Sequence, residues 1–386
     1  RNIQIKAKEA EKFITHQEYS LKKLQSNIDF KSRDFRHSLR LTLVILLGLC
    51  IGKIFEVQNA YWILLTSLVI MRPGYALTKT RFKQRLFGTL IGGSIATLII
   101  LITQNLVIHG ILAIVTFILA FSMIQRNYKT AAAFITLNVV FVYSLLTPNA
   151  FEVIQFRLLD TLIGAGLAFL GNSFLWPTWE VKTINNFIAS SIGANKDYLR
   201  EIELFYRKKG DLPTAYKLSR KNAFLESGNL SAAFQRITQE PKLNVNVGTI
   251  YKIVTLNQEI LSSIASLGTF IRTQETTAAS AHFISYMDLI QVRLNNSVLV
   301  LEGKAGTETI DDKKMKTARN YFKAKTKELI NLKNNERIGI GEGNSEIGRQ
   351  LQEAQLIFEQ LQWLLEVSSD MEEMIIDYKN HHEKLE

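Results

Sequence analysis

Between Leu86 and Trp176 the chain runs for 91 residues with only Arg126, Lys129, Glu152, Arg157 and Asp160 charged. Soluble domains carry about 25% charged residues, so a stretch this long and this poor in charge belongs in lipid. Beyond Trp176 the count returns to 27 basic and 27 acidic side chains, ordinary for a domain in water. The 386 residues therefore divide into a membrane part and a polar part. A single-domain cytosolic enzyme is excluded.

The net charge of +11 has a location. Residues 1–38 contribute nine basic and five acidic groups, and residues 39–176 contribute ten and three. The excess sits in and beside apolar spans, which is where membrane orientation places it. A nucleic-acid binder would gather it on a soluble surface instead, so no nucleic-acid partner is expected. The one cysteine, Cys50, allows neither a disulfide framework nor a cysteine metal site. No signal peptide is apparent, and the chain begins at Arg1 rather than Met, as a piece of a longer protein would.

A membrane-spanning helix needs about 20 apolar residues. The candidates are Leu39–Phe55, Ala60–Met71, Leu86–Gln104, Leu106–Ile124, Thr130–Thr147 and Phe156–Trp176. The second is short, and its length alone would suit a re-entrant segment. The loops decide. If all six span, the loops on the side of the termini carry Arg72, Lys79, Arg81, Lys83, Arg85, Arg126 and Lys129, while the opposite loops carry only Lys53. Lysine and arginine collect on the cytoplasmic side. Six spans with both termini cytoplasmic are therefore expected. Gly48 with Gly52, Gly88 with Gly92 and Gly164 with Ala168 are notches for close helix packing, or the small residues of a substrate path.

After Pro177 apolar residues recur at steps of three and four, with almost no strand signal. Helices are expected over about 179–209, 214–238, 245–272, 275–301, 310–335 and 346–380. The fold class is all-α: a six-span transmembrane bundle followed by a cytoplasmic antiparallel helical bundle. The domains are 1–37, a cytoplasmic amphipathic helix expected over Ile5–Phe30 and packed on the bundle; 38–177, the membrane domain; and 178–386, the cytoplasmic domain. Residues 313–337 hold nine basic and two acidic groups, and 342–386 hold three and eleven. These last two helices either pair through those faces or leave them solvated.

No chemistry of an enzyme is visible. The six histidines are scattered and none shares a helix face with a second histidine and a glutamate, so no metal or cofactor is expected. His381-His382-Glu383 reads as a solvated tail. Gly339-Ile340-Gly341-Glu342-Gly343 follows a helix rather than a strand and lacks a Gly-Lys-Ser/Thr ending, so it is no phosphate loop. Polar residues at membrane depth are the better candidates, because each is costly there. Arg157 and Asp160 share a helix face one turn apart, as an interfacial anchor or as a pair coupling a cation or proton. Asn138 lies mid-span, bonded to a neighbouring helix or to a substrate. The basic stretch Arg72–Arg85 reads as a loop turned by Pro73-Gly74. It sets orientation, or Arg72, Arg81 and Arg85 gather an organic anion or phospholipid headgroups at a cytoplasmic mouth, with Tyr75 beside them.

Several unlike residues recur in a recognisable spacing. Tyr61-Trp62, Leu64-Leu65-Thr66, Arg72-Pro73-Gly74-Tyr75, Thr78, Arg81, Gln84-Arg85, Gly88-Thr89 and Gly92 are followed by Arg157-Leu158-Leu159-Asp160-Thr161-Leu162-Ile163-Gly164-Ala165 and Trp176-Pro177 with Trp179-Glu180. Over about residues 38–180 this resembles the FUSC (fusaric acid resistance protein) superfamily, in its YccS/YhfK-type bacterial inner-membrane branch. Ala76 stands where many relatives have glycine. The resemblance implies a six-span unit followed by a cytoplasmic helical domain, often twice per chain, in the bacterial inner membrane. It is similar to exporters of aromatic carboxylic acids and, more distantly, to plant malate channels. It further implies as partners the other half of a two-unit chain or a second copy, a dimer first, besides membrane lipid and a small organic anion. On that basis the chain is expected to export small, often aromatic, organic anions, with Arg72, Tyr75, Arg81, Arg85, Asn138, Arg157 and Asp160 at the substrate. The alternative is a non-transporting membrane scaffold or envelope sensor whose bundle recruits partners. The polar face across the spans is thin for a transporter, and the resemblance tips the balance.

Overall fold

A computed structural model describes residues 25, 28–30, 32–56, 60–146, 150–208, 210–241, 246–274, 276–277, 279–304, 312–336 and 344–382. Among these residues every regular element is a helix. The chain divides at Glu180/Val181 into two compact units. The expected amphipathic helix over Ile5–Phe30 and the glycine run Gly339–Gly343 fall outside the described residues, apart from isolated positions before Phe30.

The membrane unit holds α1 (Arg33–Ile54), α2 (Tyr61–Ile70), α3 (Tyr75–Ile102), α4 (Leu106–Met123), α5 (Tyr128–Leu146) and α6 (Ala150–Phe174). Ser32 caps α1 by accepting from the Phe35 N–H, and Asn105 caps α4 by accepting from the Val107 N–H. Such caps satisfy donors that a helix start leaves orphaned. Five of the six helices are long and apolar enough to cross a membrane, and α2 is a shorter apolar helix. Ten residues give about 15 Å of helix, half of a hydrocarbon core of about 30 Å.

The basic stretch is not a loop. Only Arg72-Pro73-Gly74 interrupts the helices, and α3 runs unbroken for 28 residues from Tyr75. Beyond Gly74 the segment has no glycine or proline until Gly88, and lysine and arginine are good helix formers. Thr78 holds the turn closed, because its Oγ accepts from the Arg72 N–H and faces the carbonyls of Arg72 and Gly74. Thr178 Oγ donates to the Pro73 carbonyl from the far end of the unit.

Glycine lets the helices touch. A Cβ at Gly88 would lie 2.6 Å from the Lys129 carbonyl oxygen, and one at Gly92 would lie 2.5 Å from that of Ala133, both on α5. At Gly164 it would lie 2.6 Å from the Ile63 carbonyl oxygen on α2. These notches are packing surfaces, as close approach in lipid requires. The outward faces of α3 and α4 expose Leu98, Leu101, Ile111, Ile114, Phe117, Ile118 and Phe121, a surface suited to acyl chains and not to water.

The polar unit holds α7 (Ile184–Arg207), α8 (Thr214–Ile237), α9 (Val247–Thr273), α10 (Ala281–Leu301), α11 (Asp312–Glu336) and α12 (Asn344–His382). A single core of Ile184, Ile188, Ile192, Ile202, Ile264 and Ile290 runs through it. Glu180–Lys182 forms one 3₁₀ turn, which delays α7 by several residues relative to the sequence pattern. The oppositely charged α11 and α12 do pack together. Their contact includes Phe322 stacked on Phe358 at 5.3 Å, and an ion pair on α12 comes from elsewhere, Arg293 of α10 to Glu372 at 3.0 Å.

Candidate functional site

Helices α3 and α6 run antiparallel. Gly93 faces Ile154 near one end and Phe82 packs on Phe169 near the other. That register sets Thr89 at the level of Asp160–Thr161 on α6 and Arg85, one turn earlier on α3, about one turn further along α6. Helix α2 closes the group, since Thr66 packs against the Gly164 position.

At the centre lies Arg157, 2% exposed. Its guanidinium sits 3.8 Å from the centroid of the Trp62 ring. Cation–π attraction at a desolvated site reaches about 2 kcal/mol, yet it uses only the face of the guanidinium. None of the three nitrogens has a hydrogen-bond partner among the described residues. Asp160, 1% exposed, has no partner for either carboxylate oxygen among them. Sequence spacing suggested a paired couple. Instead the two groups share a helix face without an ion pair, close enough only to act through their fields. The other ionisable groups whose fields reach Arg157 are Arg85, Tyr61 and Tyr128.

Further buried polar atoms without a partner among the described residues include Arg85 Nε, Thr66 Oγ, Thr89 Oγ, Thr161 Oγ and the Tyr128 hydroxyl. They come from α2, α3, α5 and α6. Arg81, half-buried one turn before Arg85, lies 4.2 Å from the Tyr128 ring centroid. Arg81, Arg85 and Arg157 thus form a staircase of cations that starts near the Tyr75 end of α3 and leads inward. Tyr61, next to Trp62, meets the Tyr143 hydroxyl at 2.9 Å.

Of the residues singled out from sequence, Arg81, Arg85, Arg157 and Asp160 come together. The others do not join them. Arg72 is exposed at the end of α2. Tyr75 is buried against Phe169 and Trp179, at 5.9 and 5.5 Å, which is a packing role. Asn138 donates through Nδ2 to the Ala113 carbonyl at 2.8 Å, so it ties α5 to α4. His109 is likewise occupied, by Ser144 and the Thr103 carbonyl. Trp62 joins the group through its ring against Arg157, a contact between helices that the sequence spacing does not show.

Comparison with known proteins meets this geometry on the same helices. Residues 46–171 match the family described as fusaric acid resistance protein-like. The chain belongs to that family through its membrane unit. Among its relatives, an uncharacterised protein of Haemophilus influenzae is 30% identical over 263 residues, 67% of this chain and 36% of the relative. Inner membrane protein YccS of Escherichia coli is 32% identical over 235 residues, 61% and 33% of the two chains. The uncharacterised protein YhfK of Escherichia coli is 28% identical over 252 residues, 64% and 35%. The chain thus matches about a third of the length of these relatives. It is a multi-pass helical membrane protein of this family.

Proposed function

We propose that the membrane unit carries small organic anions, aromatic monocarboxylates foremost, outward across the bacterial inner membrane. The observation that carries this reading is Arg157, a fully buried guanidinium with every nitrogen unpartnered among the described residues. A charged side chain costs about 2.5–3.5 kcal/mol at the centre of a membrane helix and less towards an end, where Arg157, eighth of the 25 residues of α6, lies. A carboxylate that engages such a guanidinium edge-on forms two parallel charge-assisted hydrogen bonds. Arg85 and Arg157 bring two positive charges and Asp160 one negative, so one anionic charge balances the site and two overfill it. Trp62 and Tyr128 supply aromatic faces beside the cations. Arg81 attracts the anion from the cytoplasmic end and passes it inward. No step of bond chemistry is involved, and the protein acts as a carrier rather than an enzyme.

The orientation is part of the proposal. Both termini face the cytoplasm, and α2 is the second of six crossings. The basic loops then share one side, as the loop charges demand. A cysteine introduced at the exposed Lys83 should resist an impermeant thiol reagent in intact cells lacking Cys50, while one at the exposed Asn105 should react. The reverse pattern contradicts the orientation.

Transport is tested in a strain lacking its own aromatic-acid exporters. Expression should raise tolerance to a panel of aromatic carboxylic acids, and Arg157→Gln should abolish the gain at unchanged protein level. Unchanged tolerance across the panel, with protein well inserted, would favour the scaffold.

A further inference from the structure

A second group of cations lies outside that path. Arg33, Arg36, His37 and Arg40 recur at steps of three and four, so they share one face over the first two turns of α1. Arg33 is committed to Glu180 at 2.8 Å. Arg40 is the largest side chain with no exposure at all. Its Nη1 donates to Asn172 Oδ1 at 2.6 Å and to the Asn172 carbonyl at 3.3 Å. Its Nε and Nη2 edge has no partner among the described residues, and neither do Arg36 Nε, His37 Nδ1 and Asn172 Nδ2. A Cβ at Gly74 would lie 3.4 Å from the Arg33 guanidinium, so the turn after α2 meets this face and sets the exposed Arg72, two residues earlier, at its rim.

The charges do not cancel. Glu180 offsets Arg33 and the exposed Asp34 offsets one more, so the four arginines Arg33, Arg36, Arg40 and Arg72 keep an excess of two positive charges. The depth is informative as well. Seven steps from Arg33 to Arg40 rise about 10 Å, enough to reach through a headgroup layer of about 5–8 Å to the edge of the hydrocarbon. Phe30, just before α1, packs edge-on against Trp176 at 5.2 Å, and Trp176 is exposed. Tryptophan at a span end marks the membrane–water interface. The open Nε–Nη2 edge of Arg40 is the edge that engages phosphate bidentately.

We propose that this face of α1 holds the phosphate of an anionic phospholipid headgroup, with Arg40 as its floor, Arg36 and His37 as its wall and Arg72 at its rim. The ligand is a phosphodiester with one negative charge, drawn from the leaflet in which α1 begins. The site is independent of the transport reading, since it shares none of Arg81, Arg85, Arg157 and Asp160. It gives Arg72 a role apart from the substrate path.

The test uses the full chain purified in a mild detergent and offered phosphatidylglycerol or phosphatidylcholine, with retained lipid read by native mass spectrometry. Phosphatidylglycerol should be retained in preference to phosphatidylcholine. Arg36→Gln combined with Arg72→Gln should cut that retention by about tenfold or more, as the loss of two basic contacts of about 1 kcal/mol each implies. Arg81→Gln combined with Arg85→Gln should leave it intact. Because Arg40→Gln risks misfolding through the lost Asn172 contacts, the rim variant carries the decision. Equal retention of the two lipids, or equal retention by wild type and rim variant, overturns the proposal. Thermal stabilisation by inorganic phosphate without lipid retention also overturns it, by assigning the site to a soluble anion.

Discussion

The two units treat buried polar groups in opposite ways. In the polar unit, Glu353 accepts from the Tyr206 hydroxyl and from both the N–H and the hydroxyl of Thr277. Asn257 donates to Ser191 and Ser227 and accepts from Asn195. Most unpartnered atoms there, such as Asn195 Oδ1 and Arg293 Nε, belong to side chains bonded through their other atoms, the single hydroxyl of Thr326 being an exception among the described residues. In the membrane unit an entire guanidinium and an entire carboxylate stand open among the described residues. Buried polar groups in a finished structure are satisfied, so the polar unit reads as self-sufficient scaffold. Open charge in the membrane unit marks a place that something else completes.

The sharpest way to break this contrast is to remove one charged group from each unit's buried polar network and compare signs. Glu353→Leu strips Tyr206 and Thr277 of a shared acceptor, at about 1–3 kcal/mol for each group left unpaired. Urea unfolding of residues 181–386, followed by circular dichroism, should show that loss against a dominantly helical wild-type spectrum. Arg157→Gln in the membrane unit removes an unpartnered charge, so detergent unfolding of the full chain should show no loss of stability. Equal destabilisation by both changes would mean that Arg157 is structural and the contrast false.

A smaller effect sharpens the same point through pH. Burial pushes the Tyr378 phenol from 10.0 up to about 12, and burial also raises those of Tyr198, Tyr206 and Tyr286. A phenol with a raised folded pKa adds stability that is complete below its unfolded value and is lost as pH climbs through the folded one. The polar unit should therefore weaken steadily from pH 10 towards 12. Tyr378→Phe should flatten that decline and cost about 1 kcal/mol at neutral pH, for the hydrogen bond to Asn185. An undiminished alkaline slope in the variant would remove Tyr378 from the account.

Much of the fold was legible because lipid and helical periodicity leave coarse marks. The apolar spans and the repeating apolar steps after Pro177 located the helices, with ends shifted by a few residues. The first eleven residues of α3 were misread as loop, since the four cations from Lys79 to Arg85 look like a solvated connector until their faces are resolved: Lys83 outward, Arg85 inward. The site was only half legible. Arg157 and Asp160 stood out as charges at membrane depth, but Trp62, Tyr128 and Thr89 join them through packing between helices distant in sequence. Arg40 went unnoticed for the same reason, because its partner Asn172 lies 132 positions away. Asn138 and Tyr75 carried the right polarity for a site and are spent on holding helices together.

The central claim is that Arg157 waits for a monoanionic carboxylate. The most direct measurement is calorimetric titration of benzoate, with phthalate as the dianionic comparator, into the purified full chain and its Arg157→Gln variant. Truncating one side of a buried charge pair costs about 2–5 kcal/mol, so the variant should bind benzoate at least about 30-fold more weakly, and wild type should prefer benzoate to phthalate. Equal benzoate affinity in wild type and variant, or no binding to either, would contradict the account.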